Sequence, residues 1–133
     1  MGMPDPLPTF TTFAARLAEN HPNLAYLHLC ESDTPSARTS AGVLHSNEPI
    51  RNAWGARTYV TARGHTRQSA LEAAEKDDTL VAMGRYFISN PDLPKRWMVD
   101  AELTPYDRDT FYSRGPKGYT DWAFLGDAEG SKL

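Results

Sequence analysis

The sequence predicts an α/β fold in which three parallel strands alternate with helices. Three short runs, 24–29, 57–61 and 79–83, have the length and the apolar or β-rich character of buried strands. Helical patterns precede and separate these runs, and such alternation favours parallel strands joined by right-handed crossovers. The 133 residues suffice for one domain with its own core. We therefore expect a βαβαβ unit preceded by a helix.

An apolar stripe near the N-terminus indicates the first helix. Its positions repeat at i, i+3, i+4 and i+7, which places them on one face of a helix. Thr9 or Thr11 is expected to cap the start, and His21-Pro22 is expected to end it. The stripe consists of Phe10, Phe13, Ala14 and Leu17.

Two further helices are expected between the strands. Ser46 or Asn47 can cap a short helix from Pro49 to Trp54, and Gly55 would end it. Thr66 can cap a helix over 67–76, with three apolar positions turned inward. Those positions are Ala70, Leu71 and Ala74. The segment 33–47 before the first of these helices has no periodicity, and a loop of this length is often functional.

The C-terminal third is expected to be less regular. Helical turns are predicted over 86–100, where Pro91 and Pro94 interrupt the pattern. Residues 103–125 are aromatic and show neither helical nor strand periodicity. This part therefore predicts an irregular aromatic segment after the last strand.

Composition makes several classes of partner poor candidates. The net charge is −3, and the lysines and arginines are scattered, so we expect no nucleic-acid partner. No apolar run approaches the roughly 20 residues of a membrane span, so none is expected. The single cysteine, Cys30, fits a reducing compartment. The final tripeptide Ser131-Lys132-Leu133 matches a peroxisomal address, which predicts a peroxisomal rather than a cytoplasmic location.

Three motifs in the second half of the chain carry a resemblance to a known family. They are the segments 81–94 (VAMGRYFISNPDLP), 105–112 (PYDRDTFY) and 118–121 (GYTD). Together they resemble the C-terminal part of the old yellow enzymes, FMN-dependent ene-reductases built on a (β/α)8 barrel. The three predicted strands are similar to the sixth, seventh and eighth strands of that barrel. A complete barrel needs about 250 residues. The expectation is therefore a partial TIM barrel over 1–125, followed by a flexible tail over 126–133.

The resemblance implies several residues for an FMN site. Gly84-Arg85 corresponds to the pair that holds the FMN phosphate after the eighth strand, and Phe111 and Tyr112 match positions near the flavin ring and the substrate. At the end of the seventh strand the family often has Gly-Gly, whereas this chain has Arg63-Gly64. Arg63 would either crowd the phosphate and force a different backbone, or add a second positive charge facing an anion.

The resemblance also implies that much of a flavin enzyme is missing from this chain. The family's flavin-ring contacts and substrate-carbonyl donors come from earlier strands, and no position here matches them. We therefore expect no cofactor as the first reading, with FMN as the alternative. No Cys/His spacing resembles a zinc site, so no metal is expected.

Candidate acid–base residues follow the predicted strands. His65, Glu31 and Tyr112 are the predicted catalytic groups, since a histidine with a pKa near neutral can exchange protons with a substrate. The alternatives are that His65 is a solvated loop residue and that Glu31 is a structural partner of Arg63 or Arg85. Cys30 is expected to be buried packing rather than a nucleophile. Arg85 and Arg63 would anchor an oxygen or an anion, together with Gly84, Gly64 and Phe111.

Three functional hypotheses follow. In the first, a truncated old yellow enzyme relative of fungal secondary metabolism acts on a small carbonyl metabolite as a flavin-independent isomerase or cyclase. In the second, an oligomer or a companion chain rebuilds an FMN site and the protein is an oxidoreductase. In the third, the chain is a non-catalytic partner of a pathway enzyme. The sequence is also compatible with a fragment of a longer gene product. Open sheet edges predict a homo-oligomer or a complex with a companion chain.

Overall fold

The computed structural model describes residues 5–31 and 46–127, and the chain divides after Ala82 into two compact units, Met1–Ala82 and Met83–Leu133. Most of the predicted loop 33–47, and the tripeptide Ser131-Lys132-Leu133, lie outside the described residues. The N-terminal unit contains α1 (Leu7–Asn20), β1 (Leu27–Cys30), α2 (Glu48–Trp54), β2 (Tyr59–Ala62), α3 (Arg67–Ala74) and β3 (Thr79–Ala82). The C-terminal unit contains α4 (Arg85–Ser89), α5 (Leu93–Met98) and a 3₁₀ turn (Arg108–Thr110).

The three strands form one parallel sheet in the order β1-β2-β3. The register aligns Leu27 with Tyr59 and Thr79, and alternation then separates the side chains into two faces. The first face carries the buried residues Tyr59, Thr61 and Thr79. The second face carries Leu80, which is 57% exposed, together with exposed His28 and Cys30. The predicted parallel βαβαβ unit is thus confirmed, with one face covered and the other open.

Helix α1 begins earlier than the sequence pattern predicts. Pro6 occupies the N-cap, Pro8 lies in the first turn, and the Asp5 carboxylate accepts a hydrogen bond from the Leu7 amide at 3.1 Å. The predicted caps Thr9 and Thr11 are wrong because proline, whose fixed φ suits a first turn, already starts the helix ahead of them. The apolar stripe is only partly buried. Ala14 is 1% exposed, but Phe10 and Phe13 are 46% and 56% exposed.

Arg57 ties the end of α1 to the start of the sheet. Its guanidinium lies 3.8 Å from the centroid of the buried Trp54 ring, a cation–π contact. Trp54 itself donates from Nε1 to the Thr58 carbonyl at 2.9 Å. The guanidinium also donates to the carbonyls of Ala18, His21, Pro22 and Leu24. This arrangement fixes where β1 and β2 begin.

Helix α3 shows the predicted Thr66 cap. The Thr66 hydroxyl accepts from the Ser69 amide at 3.2 Å, and the Ser69 hydroxyl accepts from the Thr66 amide at 2.9 Å, a reciprocal capping box. Ala70 is buried as expected. Leu71 is 43% exposed and Ala74 is also exposed, so these two inward assignments are wrong. The helix ends at Ala74, before a third turn could carry Leu71 and Ala74 onto the sheet.

Asn90 holds the C-terminal unit together at the end of α4. It is fully buried, and its amide nitrogen donates to the carbonyls of Tyr86 at 2.8 Å and Thr104 at 3.0 Å. Its side-chain oxygen accepts from the Thr104 amide at 2.7 Å. Ser89, also fully buried, donates to the same Thr104 carbonyl at 2.9 Å. Buried polar groups need such partners to offset desolvation.

A buried ion pair makes the second tie in this unit. Arg96 donates from Nε to Asp92 at 2.7 Å, and both side chains are only 8% exposed. Arg96 also donates to the carbonyls of Glu102 and Ala123, while Asp92 accepts from the Leu125 amide at 2.7 Å. Burial opposes ionisation of Asp92, but the hydrogen bonds from Arg96 and Leu125 outweigh it and lower the pKa of this carboxyl.

Candidate functional site

A cavity of about 210 Å³ lies on the covered face of the sheet in the N-terminal unit. Glu31 and His65, two of the three predicted catalytic residues, both line it. Strands β2 and β3 supply the sheet side, and α2 and α3 contribute residues from above it. The other lining residues are Ser46, Asn47, Glu48, Arg51, Tyr59, Thr61, Ala73, Lys76 and Thr79.

Glu31 is held in this cavity by three hydrogen-bond donors. It follows β1 directly, and its amide donates to the Ala62 carbonyl at 2.8 Å, which extends the sheet ladder by one residue. Its Oε1 accepts from the Tyr59 hydroxyl at 3.1 Å and from the Thr61 hydroxyl at 2.8 Å. Its Oε2 accepts from the Asn47 amide at 3.0 Å. The carboxylate is therefore fixed in position by residues from β2 and from the N-cap of α2.

Thr61 joins Glu31 to His65. The Thr61 hydroxyl lies 3.0 Å from His65 Nε2 as well as 2.8 Å from Glu31 Oε1. We refer to these three residues as the Glu31–Thr61–His65 chain. Sequence reasoning singled out the two ends of this chain but missed Thr61 and Tyr59. The available signal was the alternation of β2, which places both on the face toward which Glu31 turns.

Burial changes the chemistry of Tyr59. Its side chain is 3% exposed, and this desolvation, together with the neighbouring charge and hydrogen bond of Glu31, raises the pKa of the phenol well above its usual value. Tyr59 therefore stays protonated at neutral pH. It acts as a permanent hydrogen-bond donor to Glu31.

Arg51 brings a cation to the same cavity. Its Nη2 donates to the Thr79 hydroxyl at 2.7 Å and to the Asp77 carbonyl at 3.2 Å, and its guanidinium carbon lies 5.7 Å from the Tyr59 ring centroid. At the rim, Lys76 pairs with Glu48 at 3.1 Å, with both side chains about half exposed. The cavity thus combines an anchored carboxylate, an imidazole and a guanidinium.

Arg63 and Gly64 form an exposed turn between β2 and α3. Their φ angles are +76° and +71°, so both adopt the left-handed conformation that favours glycine. Arg63 therefore keeps a glycine-like backbone rather than forcing a different one. For a residue with a side chain this conformation costs about 1–2 kcal/mol.

Arg85 and Phe111 are brought together within the C-terminal unit by Tyr106. Arg85, the first residue of α4, donates from Nη1 to the Tyr106 hydroxyl at 3.2 Å, and its guanidinium carbon lies 5.4 Å from that ring's centroid. The Tyr106 ring stacks on Phe111 with centroids 5.7 Å apart. An added Cβ at Gly84 would meet no atom within 4 Å, so the backbone before Arg85 is open to a ligand.

The structure places Tyr112 and Cys30 differently from what their proposed roles suggest. Tyr112 is 96% exposed, and it is its backbone amide that forms a hydrogen bond, to the Tyr119 hydroxyl at 2.8 Å. No cavity wall therefore surrounds its phenol. The expectation that Cys30 is buried packing is wrong, because alternation along β1 turns its thiol onto the open face, where it is exposed. Over 5–31 and 46–127, no group of three or more potential metal ligands occurs.

A family model described as NADH:flavin oxidoreductase / NADH oxidase family matches residues 3–103 of this chain. Among curated proteins, 12-oxophytodienoate reductase 2 of Arabidopsis thaliana is 42% identical over 108 residues, covering 80% of this chain and 29% of its own length. Chanoclavine-I aldehyde reductase fgaOx3 of Penicillium roqueforti is 39% identical over 129 residues, covering 93% of this chain and 34% of its own length. The chain thus spans about a third of the relatives it matches.

Solved structures agree. Morphinone reductase superposes with a TM-score of 0.74 at 30% sequence identity, over 95% of this chain and 34% of its own. Old yellow enzyme from Pichia sp. AKU4542 superposes with a TM-score of 0.71 at 28% identity, over 92% of this chain and 31% of its own. The predicted partial TIM-barrel fold and the predicted resemblance are both confirmed by these matches.

Proposed function

Because this chain belongs to the NADH:flavin oxidoreductase / NADH oxidase family, we propose that it contributes FMN-binding residues to an oxidoreductase that acts on small carbonyl compounds. Two of the relatives are named for an oxo compound and for an aldehyde, which supports the substrate class. Bound FMN would supply the hydride-transfer chemistry. The residues of this chain would hold the phosphate end of the cofactor.

The observation that carries this proposal is the left-handed Arg63–Gly64 turn. It lies two residues before the capped N-terminus of α3, where exposed backbone amides and the helix dipole favour an anion. Arg63 adds a cation to a backbone conformation that the family achieves with glycine. In the C-terminal unit, the Arg85 guanidinium is exposed and oriented by Tyr106, and a guanidinium can bind a phosphate through two parallel hydrogen bonds. Both sites fit an anionic group.

Binding of FMN and of riboflavin should differ if the phosphate is what this chain holds. We expect FMN to bind the purified chain, measured by quenching of flavin fluorescence, and riboflavin to bind at least 10-fold more weakly. Arg85→Ala should weaken FMN binding by about 10-fold, since a charge-assisted hydrogen bond is worth about 1.5–3 kcal/mol. Arg114→Ala, an exposed arginine of the same unit, is the matched control. Equal affinity for the two flavins would contradict the proposal.

We further propose that a second copy or a companion chain completes the structure around the open face of the sheet. Leu80, His28 and Cys30 on this face are exposed, and β1 and β3 are edges of the three-stranded sheet. Exposed apolar faces and open edges favour association. Light scattering at micromolar concentration should therefore detect a dimer or larger species. A monomer would count against a second copy and leave a companion chain, which pull-down from the source organism would identify.

A second candidate function is a flavin-independent isomerase or cyclase, and the Glu31–Thr61–His65 chain favours it. An imidazole linked to an anchored carboxylate, beside a guanidinium, is suited to moving a proton next to a carbonyl group. Incubation of a small enone or aldehyde with the chain in D₂O, without flavin or nicotinamide, should then give deuterium at the carbon beside the carbonyl. His65→Gln should abolish that exchange. No exchange above the protein-free rate would exclude this candidate and leave the first untouched.

A further inference from the structure

We propose that Thr61 is a positioning residue that fixes the protonation of the His65 ring, so that Nε2 carries the hydrogen and Nδ1 is the atom that accepts a substrate proton. The proposal rests on the second candidate function for its chemical meaning. The ring state itself can be measured without any turnover. It follows from counting the hydrogens in the Glu31–Thr61–His65 chain.

The count starts at Glu31. A carboxylate only accepts hydrogen bonds, and Oε1 has two lone-pair directions, which Tyr59 and Thr61 fill. The Asn47 amide nitrogen donates both to Oε2 at 3.0 Å and to the Cys30 carbonyl at 2.9 Å. Both of its partners are acceptors, which fixes the orientation of that amide. Every neighbour of Glu31 is therefore a donor.

Thr61 transmits this arrangement to His65. A threonine hydroxyl has one hydrogen, and Thr61 donates it to Glu31 at 2.8 Å. Its oxygen can then only accept at the second contact, the 3.0 Å approach to His65 Nε2. Nε2 must therefore be protonated, and in the neutral ring the lone pair lies on Nδ1. Thr61 is 4% exposed, so water does not compete for this contact.

The resulting step is balanced within this chain and a carbonyl substrate. His65 Nδ1 accepts the proton from the carbon next to the carbonyl, so that the C–H bond breaks and an N–H bond forms. The electron pair moves onto the carbonyl oxygen, and the Arg51 guanidinium in the same cavity supplies a positive charge for the enolate. Return of the proton to another carbon of the enolate gives an isomer. The ligand class is thus a small carbonyl compound with an acidic C–H bond.

Nitrogen-15 NMR of the histidine rings in the full chain tests the ring state directly. We expect His65 to show a protonated Nε2 and an unprotonated Nδ1, and its Nε2 hydrogen to exchange slowly with solvent. Thr61→Val should accelerate that exchange at least 10-fold, because the acceptor is lost. Thr61→Ser, which keeps a hydroxyl, should restore slow exchange. Thr79→Val, the same substitution at another buried threonine of the same face, should leave the His65 signals unchanged.

Two results would overturn the proposal. One is a wild-type His65 ring with hydrogen on Nδ1 and none on Nε2. The other is an unchanged Nε2 hydrogen in Thr61→Val. If Thr61→Val does not fold, Thr61→Ser and the wild-type spectrum still decide the question. Where the deuterium-exchange activity is present, Thr61→Val should lower its rate at least 10-fold without a comparable change in KM. Absence of activity with the expected ring state would reject the second candidate function alone.

Discussion

The two units of the molecule each contain a cluster of charged and polar side chains, and the clusters differ in what surrounds them. In the C-terminal unit, Asn90, Asp92 and Arg96 are almost fully buried, and their partners are backbone groups and each other. In the N-terminal unit, Glu31 and His65 border a cavity of about 210 Å³. The first cluster is enclosed and stabilises the unit. The second is accessible and has an atom left for a ligand.

This difference shows why a conspicuous charged motif is a poor guide to chemistry. The segment 90–96 is a strong family signature, yet its charges serve to hold the irregular segment 101–125 in place. The less conspicuous residues Thr61 and Tyr59 organise the cavity instead. Burial and saturation of hydrogen bonds separate the two cases.

The largest expected effect tests the enclosed cluster. Arg96→Ala leaves Asp92 buried without its cation, and such a change costs about 3–5 kcal/mol of unfolding free energy. Lys76→Ala breaks the exposed pair with Glu48 in the N-terminal unit, and should cost at most about 1 kcal/mol. Urea denaturation followed by circular dichroism measures both. Similar losses in the two variants would remove the distinction between the clusters.

The next effect compares one glycine from each unit. Gly118 and Gly55 both have φ of +80°, so alanine at either position costs about 1–2 kcal/mol. At Gly118 the added Cβ would also collide with the Thr110 side chain, whereas at Gly55 it would meet no atom within 4 Å. Gly118→Ala should therefore be less stable than Gly55→Ala by about 1–3 kcal/mol. Thermal unfolding of the two variants gives the difference, and equal losses would contradict the packing described around Thr110.

Acid should weaken the enclosed cluster by a smaller amount. The pKa of Asp92 is lower in the folded state than its ordinary value of 3.8, so its contribution is present above that value and is lost as pH falls through the folded pKa. The unfolding free energy should thus drop below about pH 4 by less than the Arg96→Ala effect, because a protonated carboxyl can still accept hydrogen bonds. Asp92→Asn should remove this part of the drop in urea titrations at pH 7 and pH 3. An identical drop in the variant would assign it to other carboxylates.

The smallest effect has the opposite sign and belongs to the N-terminal unit. Arg63→Gly relieves a left-handed conformation worth about 1–2 kcal/mol, and the more flexible unfolded chain returns about 0.4–1 kcal/mol. The net result should be a gain of about 1 kcal/mol. Arg63→Ala, which keeps the strain, should show no such gain. If FMN binding also falls in Arg63→Gly, the strain serves the ligand.

Local signals in the sequence were sufficient for much of the fold. The three strands, the Thr66 cap and the Gly55 end of α2 follow from nearest neighbours along the chain. The facing of Leu71 and Ala74 did not, since it depends on where α3 stops against the sheet. The start of α1 was missed because threonine caps were weighed above the prolines that precede them.

The site required information that no single segment contains. Glu31 and His65 were identifiable from their places after β1 and β2. Their connection depends on the register that aligns Leu29 with Thr61, and sequence periodicity does not set that register. Asp92 and Arg96 have the i, i+4 spacing of a helical ion pair, so that contact could have been predicted. Its burial depends on Ala123 and Leu125, some thirty residues further along the chain.

The exposed thiol of Cys30 gives the protein a built-in reporter. It is the chain's single cysteine, and it shares the uncovered side of the sheet with Leu80. Alkylation at this sulfur therefore reads out solvent access at one known spot. Any protein that seats itself there would slow the labelling, and the degree of protection would give the occupancy of the complex without a tag or a mutation.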